Sequence, residues 1–151
     1  MAVVGLVVGA LVLGLAPAGA TTGATSGADA DVVVTTDVVY GEAPDEVGAP
    51  ETLRLDLYDP GGVAGTRAAL VVVHGGGFDR GDKADPVYVG MAQAFAAQGL
   101  VVAVVDYRLR ADAYPDYPVA SLDAQHDVQA AGRWLRAHAP ELRVDPGRIA
   151  V

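Results

Sequence analysis

Apolar and polar positions alternate with different periods along residues 31–151, and these periods predict strands and helices in turn. The β-branched run Asp31–Tyr40 predicts a first strand, and Leu53–Tyr58, in which leucines alternate with other residues, predicts a half-buried second strand. Ala68–His74 and Leu100–Val105 are continuous apolar runs, typical of strands that are buried on both faces. Four strands are therefore expected before residue 106.

Two segments carry helix signals. Asp85 is a good N-cap and Pro86 suits the first helical position, so a helix is expected to run to about Gln98, with Gly99 just past its end. A second helix is expected from about Ser121 to Ala139, because its apolar positions recur at helical spacing: Ala124, Val128, Ala131 and Leu135.

The remaining segments predict turns, loops and one more strand. Gly41–Pro50, with two prolines and two glycines, and Tyr107–Pro118, rich in proline and tyrosine, predict loops. Asp145–Gly147 predicts a turn, and Arg148–Val151 predicts the start of a strand. Two hairpin strands followed by strand, helix, strand, helix, strand indicate an α/β fold with parallel strands. Because the last strand is cut short, residues 31–151 are expected to be the N-terminal part of a longer domain.

The first thirty residues have the character of an export signal and a linker. Residues 1–28 carry no charge, and Ala2–Leu15 is an apolar stretch of the length of a signal h-region. Ala18–Ala20 supplies the small residues of a cleavage site, so residues 1–20 are expected to form a signal peptide, followed by a Thr/Gly/Ala/Ser linker over residues 21–30. Because no Lys or Arg opens the segment, an upstream start, an atypical signal, an uncleaved anchor and a buried helix stay open. Secretion, or a place in the periplasm or cell envelope, is expected.

Composition narrows the classes of partner. The 151 residues suffice for one domain, and 52% of them are hydrophobic, enough for a packed core. Ten Lys and Arg stand against nineteen Asp and Glu, for a net charge of −9, which argues against nucleic acid or an anionic membrane as partner. A stable membrane partner is expected only if the N-terminal segment stays uncleaved. The absence of cysteine excludes thiolate catalysis and Cys-based zinc sites.

The most informative feature is the end of the third predicted strand, where His74 is followed by three glycines, Gly75–Gly77. Glycines leave the backbone free in φ and ψ and leave its N–H groups uncovered, as an oxyanion hole requires. A dinucleotide phosphate loop is disfavoured, because Arg80 stands where the third glycine of G-x-G-x-x-G should be. A purely structural tight turn stays open as the plain alternative.

From about Leu53 to Val151 the sequence resembles the N-terminal half of an α/β-hydrolase esterase. Within that fold it is most similar to the acetyl-esterase/lipase group that includes bacterial feruloyl- and acetyl-esterase-like enzymes. The motifs that carry the resemblance, in order, are His74–Phe78, Gly81–Lys83, Asp106–Leu109, Asp127 with Arg133–Leu135, and Asp145–Val151.

The resemblance implies roles for the glycine run. Gly76 and Gly77 are expected to donate backbone N–H groups to a tetrahedral intermediate, with Gly75 helping to shape the loop. His74 is expected to organise the loop rather than to act as the catalytic base. The nucleophilic serine, in a G-x-S-x-G turn, is expected beyond Val151, followed by the acidic residue and the histidine. The substrate class implied is a small-molecule ester, hydrolysed through an acyl-enzyme without a metal or an organic cofactor.

The charged and aromatic residues near the glycine run have structural interpretations beside functional ones. Asp106 and Arg108 are expected to brace the end of the fourth strand, with a buried ion pair favoured over direct contact with substrate. Asp79 and Asp82 either rim a pocket or are simply solvated. The tyrosines of the following loop either line an acyl or aryl pocket or pack on prolines: Tyr107, Tyr114 and Tyr117.

No triad is predicted from the serines and histidines within the chain. Ser26 lies in the predicted linker and Ser121 at a predicted helix start, and His126 and His138 fall on the long helix, where exposed or capping roles are expected. The 151-residue chain by itself is therefore expected to be inactive. Two rivals remain open: a non-catalytic binding module on the same fold, and a peptidase or lactonase on the same scaffold.

Overall fold

The structure is a computed structural model that describes residues 31–111, 113 and 116–151. The predicted signal peptide, 1–20, and the predicted linker, 21–30, lie outside the described residues. No helix within the described ranges is both long enough and apolar enough to cross a membrane.

Five strands form one mixed sheet with two helices packed against it. The strands are β1 (Val32–Pro44), β2 (Pro50–Pro60), β3 (Arg67–Val73), β4 (Val101–Val105) and β5 (Val144–Ala150), and the helices are α1 (Pro86–Ala96) and α2 (Tyr117–Ala137). The strand order is β1-β2-β4-β3-β5; β1 and β2 pair antiparallel, as do β2 and β4. β3 pairs parallel with both β4 and β5. The α/β prediction is therefore confirmed.

The centre of the sheet is buried on both faces. All five residues of β4 are buried, and its side chains divide by parity between two apolar clusters. Val101, Ala103 and Val105 pack with Leu135 of α2, whereas Val102 and Val104 pack on the other face with residues of α1. Because successive side chains of a strand point to opposite faces, a strand covered on both sides must be apolar throughout. The apolar run therefore determines the central place of β4.

The loop predicted at Gly41–Pro50 is wrong at both ends. β1 continues to Pro44 and β2 begins at Pro50, so that the connection spans only residues 45–49. The Asp45 carboxylate closes it by accepting hydrogen bonds from the amides of Val47 and Ala49, at 2.9 and 2.7 Å. The prolines are tolerated because they lie at the strand ends, where a missing amide leaves no interior ladder bond unmade.

Both helices lie where they were predicted, but α1 ends at Ala96 rather than at about Gln98, and α2 ends at Ala137 rather than at Ala139. Asp85 caps α1 as predicted, its carboxylate accepting from the Val87 amide at 2.9 Å. α2 begins at Tyr117, four residues before the predicted Ser121, because Pro118 suits a first helical turn. The predicted turn Asp145–Gly147 lies inside β5, where the register with β3 shifts, so it is an irregularity of a strand rather than a connection.

Candidate active site

The glycine loop, residues 74–78, begins where β3 ends, at the carboxyl edge of the parallel strands. Its backbone takes conformations open to few residues: φ is +131° at Gly76 and +67° at Gly77. At Gly76 an added Cβ would overlap the carbonyl group of Arg80, so only glycine fits there. A Cβ on Gly81 would overlap the ring of His74, which shows how closely the chain folds back on the loop.

Two backbone amides of the loop are left without a protein acceptor among the described residues. Gly77 is exposed and Gly76 is half-buried, and neither amide donates to an acceptor within the described ranges. Phe78, which follows, has a φ of +67°, a strained value for a side chain of its size. The Arg110 amide donates to the Phe78 carbonyl at 2.9 Å and so helps to hold this strained residue. The geometry suits the stabilisation of negative charge outside the loop.

His74 points inward. Its ring is stacked on Tyr107 with ring centroids 4.4 Å apart, and its Nδ1 lies 2.9 Å from the Gly75 carbonyl oxygen. Its Nε2 is buried without a hydrogen-bond partner among the described residues, 3.6 Å from a carboxylate oxygen of Asp106. The ring thus packs against the backbone of the loop. This placement supports the expected role of His74 in organising the loop, and that role stays a prediction.

A cluster of charges around Lys83, the Lys83 cluster, connects the loop to the sheet. The ammonium of this buried side chain lies 3.0 Å from carboxylate oxygens of both Asp37 and Asp56, and 4.0 Å from Asp106. The Lys83 amide donates to Asp106 at 2.7 Å. Burial by itself lowers the pKa of Lys83, but hydrogen bonds to Asp56 and Asp37 outweigh it, so the pKa rises and the charge is secure.

The environment of Asp106 disfavours its charged form. Burial raises the pKa of Asp106, and the Lys83 amide together with the charge of Lys83 offsets part of this effect. Asp106 and Arg108 both form ion pairs, as expected of residues that brace the strand end, but not with each other. Asp106 faces Lys83 and His74, whereas Arg108 turns toward α2.

The second cluster, the Arg108 cluster, joins the end of β4 to α2. The Arg108 guanidinium donates to both carboxylate oxygens of Asp127, at 2.8 to 3.1 Å, and the Arg108 amide donates to the same carboxylate. Its remaining donors reach the carbonyl oxygens of Pro44 and Asp123. Hydrogen bonds to Asp127 outweigh burial and raise the pKa of Arg108. The cluster is almost fully buried.

Two cavities flank the stacked rings of His74 and Tyr107. One has a volume of about 420 Å³, is mostly apolar, and is lined by side chains that include Phe78, Tyr107, Ala124 and Val128. The other has a volume of about 260 Å³ and is more polar, with Glu51, Arg54, Asp82 and Asp106 in its wall. An apolar and a polar compartment therefore meet at the base of the glycine loop.

The remaining candidates divide between these cavities and the surface. Tyr107 lines both cavities, Tyr117 contacts Phe78 edge-on with ring centroids 5.0 Å apart, and Tyr114 lies outside the described residues. Asp82 borders the polar cavity, whereas Asp79 is exposed beside Arg80. Asp82 thus agrees with the expectation of a pocket rim, and Asp79 agrees with that of a solvated residue.

The chain's other serines and histidines form no triad among the residues described. The Ser121 hydroxyl donates to the Pro118 carbonyl at 2.9 Å, His126 is exposed, and His138 caps α2 while stacking on Trp134. Ser26 lies outside the described residues. Nor does any group of three His, Cys, Asp or Glu within 31–111, 113 and 116–151 form a metal site.

Sequence reasoning gave no role to Tyr88, although its hydroxyl accepts a hydrogen bond from the Gly75 amide at 2.7 Å. It fell on a predicted helix at a position without charge or motif. Lys83 did carry a signal, because the only lysine of a chain with nineteen acidic residues is a good candidate for a buried pair. Neither its contacts with β1 and β2 nor the Tyr88 contact follows from local spacing, since both depend on how distant segments fold together.

Three comparisons bear on this site. The BD-FAE family model matches residues 55–151. Carboxylesterase NlhH of Mycobacterium tuberculosis is 45% identical over 98 residues, covering 63% of this chain and 28% of the relative. Fumonisin B1 esterase of Sphingopyxis macrogoltabida is 30% identical over 111 residues, covering 67% of this chain and 20% of the relative.

Among solved structures, native Est2, an esterase of Thermogutta terrifontis, aligns with a TM-score of 0.61 and 32% identity, covering 81% of this chain and 39% of the esterase. The same esterase has been solved phosphorylated by paraoxon, with 31% identity. The chain thus spans less than a third of the length of these two curated relatives and about two fifths of this structural neighbour.

Proposed function

Because the chain belongs to the BD-FAE family, we propose that the protein is a carboxylic-ester hydrolase that works through an acyl-enzyme. The chain has the α/β-hydrolase fold of the esterase structures it resembles, over the part of that fold that it spans. The substrate class proposed is a small-molecule ester. Residues 1–20 support a further proposal, export from the cytoplasm, because they have the apolar core and cleavage site of a signal peptide.

The observation that carries the proposal is the pair of backbone amides, at Gly76 and Gly77, that donate to no acceptor among the described residues. When a nucleophile attacks an ester carbonyl, its oxygen gains negative charge, and donors already in place stabilise that charge in the transition state. The close approach of the Arg80 carbonyl to Gly76 and the bond from the Arg110 amide to the Phe78 carbonyl help to hold the loop backbone that carries these donors. Gly76 and Gly77 are therefore the proposed oxyanion donors.

The proposed nucleophile is a serine beyond Val151. β5 runs parallel to β3, so the chain that leaves β5 emerges at the edge of the sheet where the glycine loop lies. A sharp turn after β5 would bring its side chain toward the proposed donors. Phosphorylation of the Thermogutta terrifontis esterase by paraoxon supports nucleophilic chemistry for this fold. The carboxylate and histidine partners of that serine are likewise proposed beyond Val151.

The test is hydrolysis of p-nitrophenyl acetate and butyrate by the full-length gene product, with and without Gly76→Ala. A Cβ at Gly76 forces the loop away from Arg80, so kcat is expected to fall by about 10² to 10³, the usual effect of losing an oxyanion donor. Gly65→Ala is the matched control. Gly65 also has a positive φ, of +78°, but a Cβ there meets no atom within 4 Å.

Paraoxon separates catalysis from mere binding. A wild-type protein that turns over ester and gains one covalent phosphoryl group, detected by mass spectrometry, agrees with the proposal. A folded wild-type protein with neither property would contradict the proposal. If Gly76→Ala keeps the far-ultraviolet circular dichroism of wild type and also its kcat, the amides at this loop are not the oxyanion donors.

A further inference from the structure

One peptide unit at the start of the glycine loop is held from both sides by tyrosine hydroxyls. The peptide between His74 and Gly75 offers the His74 carbonyl in one direction and the Gly75 amide in the other. Tyr107 donates its hydroxyl to the His74 carbonyl oxygen at 3.0 Å, and the Gly75 amide donates to the Tyr88 hydroxyl oxygen at 2.7 Å. The two tyrosines come from different elements, the end of β4 and helix α1.

We propose that Tyr88 and Tyr107 act together as positioning residues, a tyrosine clamp that sets the orientation of the glycine loop. This inference rests on the proposed function. A peptide is planar, so fixing its carbonyl and its amide fixes the direction in which the chain enters Gly75. The amides of Gly76 and Gly77 follow immediately, and their orientation depends on that entry. Glycine has few steric limits of its own, so an external constraint is needed to select one conformation.

The tyrosine clamp also determines which amides of the loop are left to bind substrate. Because Gly75 donates to Tyr88, its amide is occupied, and the amides left for substrate are those of Gly76 and Gly77. Gly75 is exposed, so water could satisfy its amide as well as Tyr88 does. The bond to Tyr88 therefore contributes direction to the loop more than stability to the fold.

His74 lies between the two tyrosines and supports both. Its ring stacks on Tyr107 at 4.4 Å and lies tilted against Tyr88 at 6.3 Å, with Gly81 packed too closely for any side chain. Removing a hydroxyl while keeping each ring should thus leave the packing intact. Phenylalanine variants isolate the hydrogen bonds.

The experiment measures kcat and KM of the full-length protein for p-nitrophenyl butyrate in Tyr88→Phe, Tyr107→Phe and the double variant. Tyr88→Phe is expected to lower kcat about tenfold with KM changed less than twofold, because oxyanion donors act on the transition state and not on the bound ester. Its melting temperature is expected to match wild type. Tyr58→Phe is the control and is expected to keep the wild-type kcat, because Tyr58 is a buried tyrosine of β2 whose hydroxyl makes no hydrogen bond to the glycine loop, although it shares an apolar cluster with Tyr88.

The double variant tests whether the tyrosines act on one peptide. Both hydroxyls orient the same unit, so the combined fall in kcat is expected to be smaller than the product of the single falls. Single effects that simply multiply would overturn the clamp, as would a Tyr88→Phe variant with unchanged kcat or with a changed KM alone. If wild type hydrolyses ester and Gly76→Ala does not, such a result removes the clamp and leaves the proposed function standing.

Discussion

The Arg108 cluster and the Lys83 cluster each include a residue that follows β4, Arg108 in the first and Asp106 in the second, but the two clusters pair their charges differently. Arg108 binds both carboxylate oxygens of Asp127 with a planar fork, both of these side chains are at least nine-tenths buried, and the Asp123 carboxylate lies farther off, at 3.5 Å. Lys83 meets carboxylates from three segments of chain with a single ammonium, and one of them, Asp37, is 61% exposed. The first is a rigid bidentate pair, and the second is a shared point charge partly open to water.

The difference corresponds to what each cluster holds. The Arg108 cluster ties α2 to the sheet and to the end of β1, where little movement can be accommodated. The Lys83 cluster ties the segment after the glycine loop to β1, β2 and β4. A buried bidentate pair specifies one packing of elements, whereas a shared ammonium leaves room for adjustment beside a proposed active site. The two clusters should therefore respond differently to the loss of one member.

The largest effect is expected from Asp127→Ala. It removes the bidentate partner of the buried Arg108 guanidinium, which keeps only two carbonyl acceptors and the Asp123 carboxylate at 3.5 Å, and breaking a buried pair in this way costs about 3–5 kcal/mol of unfolding free energy. Alanine is the better helix former, so helix propensity cannot account for a loss. Urea denaturation measures it, with exposed His126→Ala on the same helix as control. A loss below about 1 kcal/mol would show that the pair does not specify the packing.

A smaller effect is expected from Lys83→Met, about 1.5–3 kcal/mol, the range for hydrogen bonds to charged groups. Asp56 keeps a donor, the Asp37 amide at 2.9 Å, and exposed Asp37 returns to water, so each carboxylate retains a partner after the change. Urea denaturation in low and high salt is the measurement, and Arg80→Met, at an exposed pair, is the control. A loss equal to that of Asp127→Ala would remove the contrast between the clusters.

The clusters also show where prediction from sequence succeeds and where it stops. The strands, both helices and the glycine loop could be predicted because apolar runs, the Asp85 cap and consecutive glycines act locally. The extent of β1 and β2 could not, because pairing across a five-residue connection overrode its turn-forming residues. The partners of the Asp106 and Arg108 side chains lie on segments up to 64 residues away, which local spacing does not encode.

The smallest effect, a dependence on pH, distinguishes the clusters through Asp106. Burial raises the pKa of Asp106 above its ordinary 3.8, with Asp82 adding to the shift and Lys83 opposing it. The folded state therefore binds the proton more tightly than the unfolded state. Below the unfolded pKa this stabilisation is fully present, and it is lost as pH rises through the folded pKa.

Asp106→Asn removes that titration but keeps an oxygen to accept the Lys83 amide. The stability of wild type relative to Asp106→Asn is thus expected to fall as pH rises from about 3.8 through the raised pKa, and then to level off. Urea denaturation of both proteins between pH 4 and 7 measures the difference. A wild type that gains stability over the variant across this interval would mean that Lys83 outweighs burial at Asp106. The Lys83 cluster would then stabilise its charged groups as strongly as the Arg108 cluster does. The contrast between adjustable and rigid pairing would then be wrong.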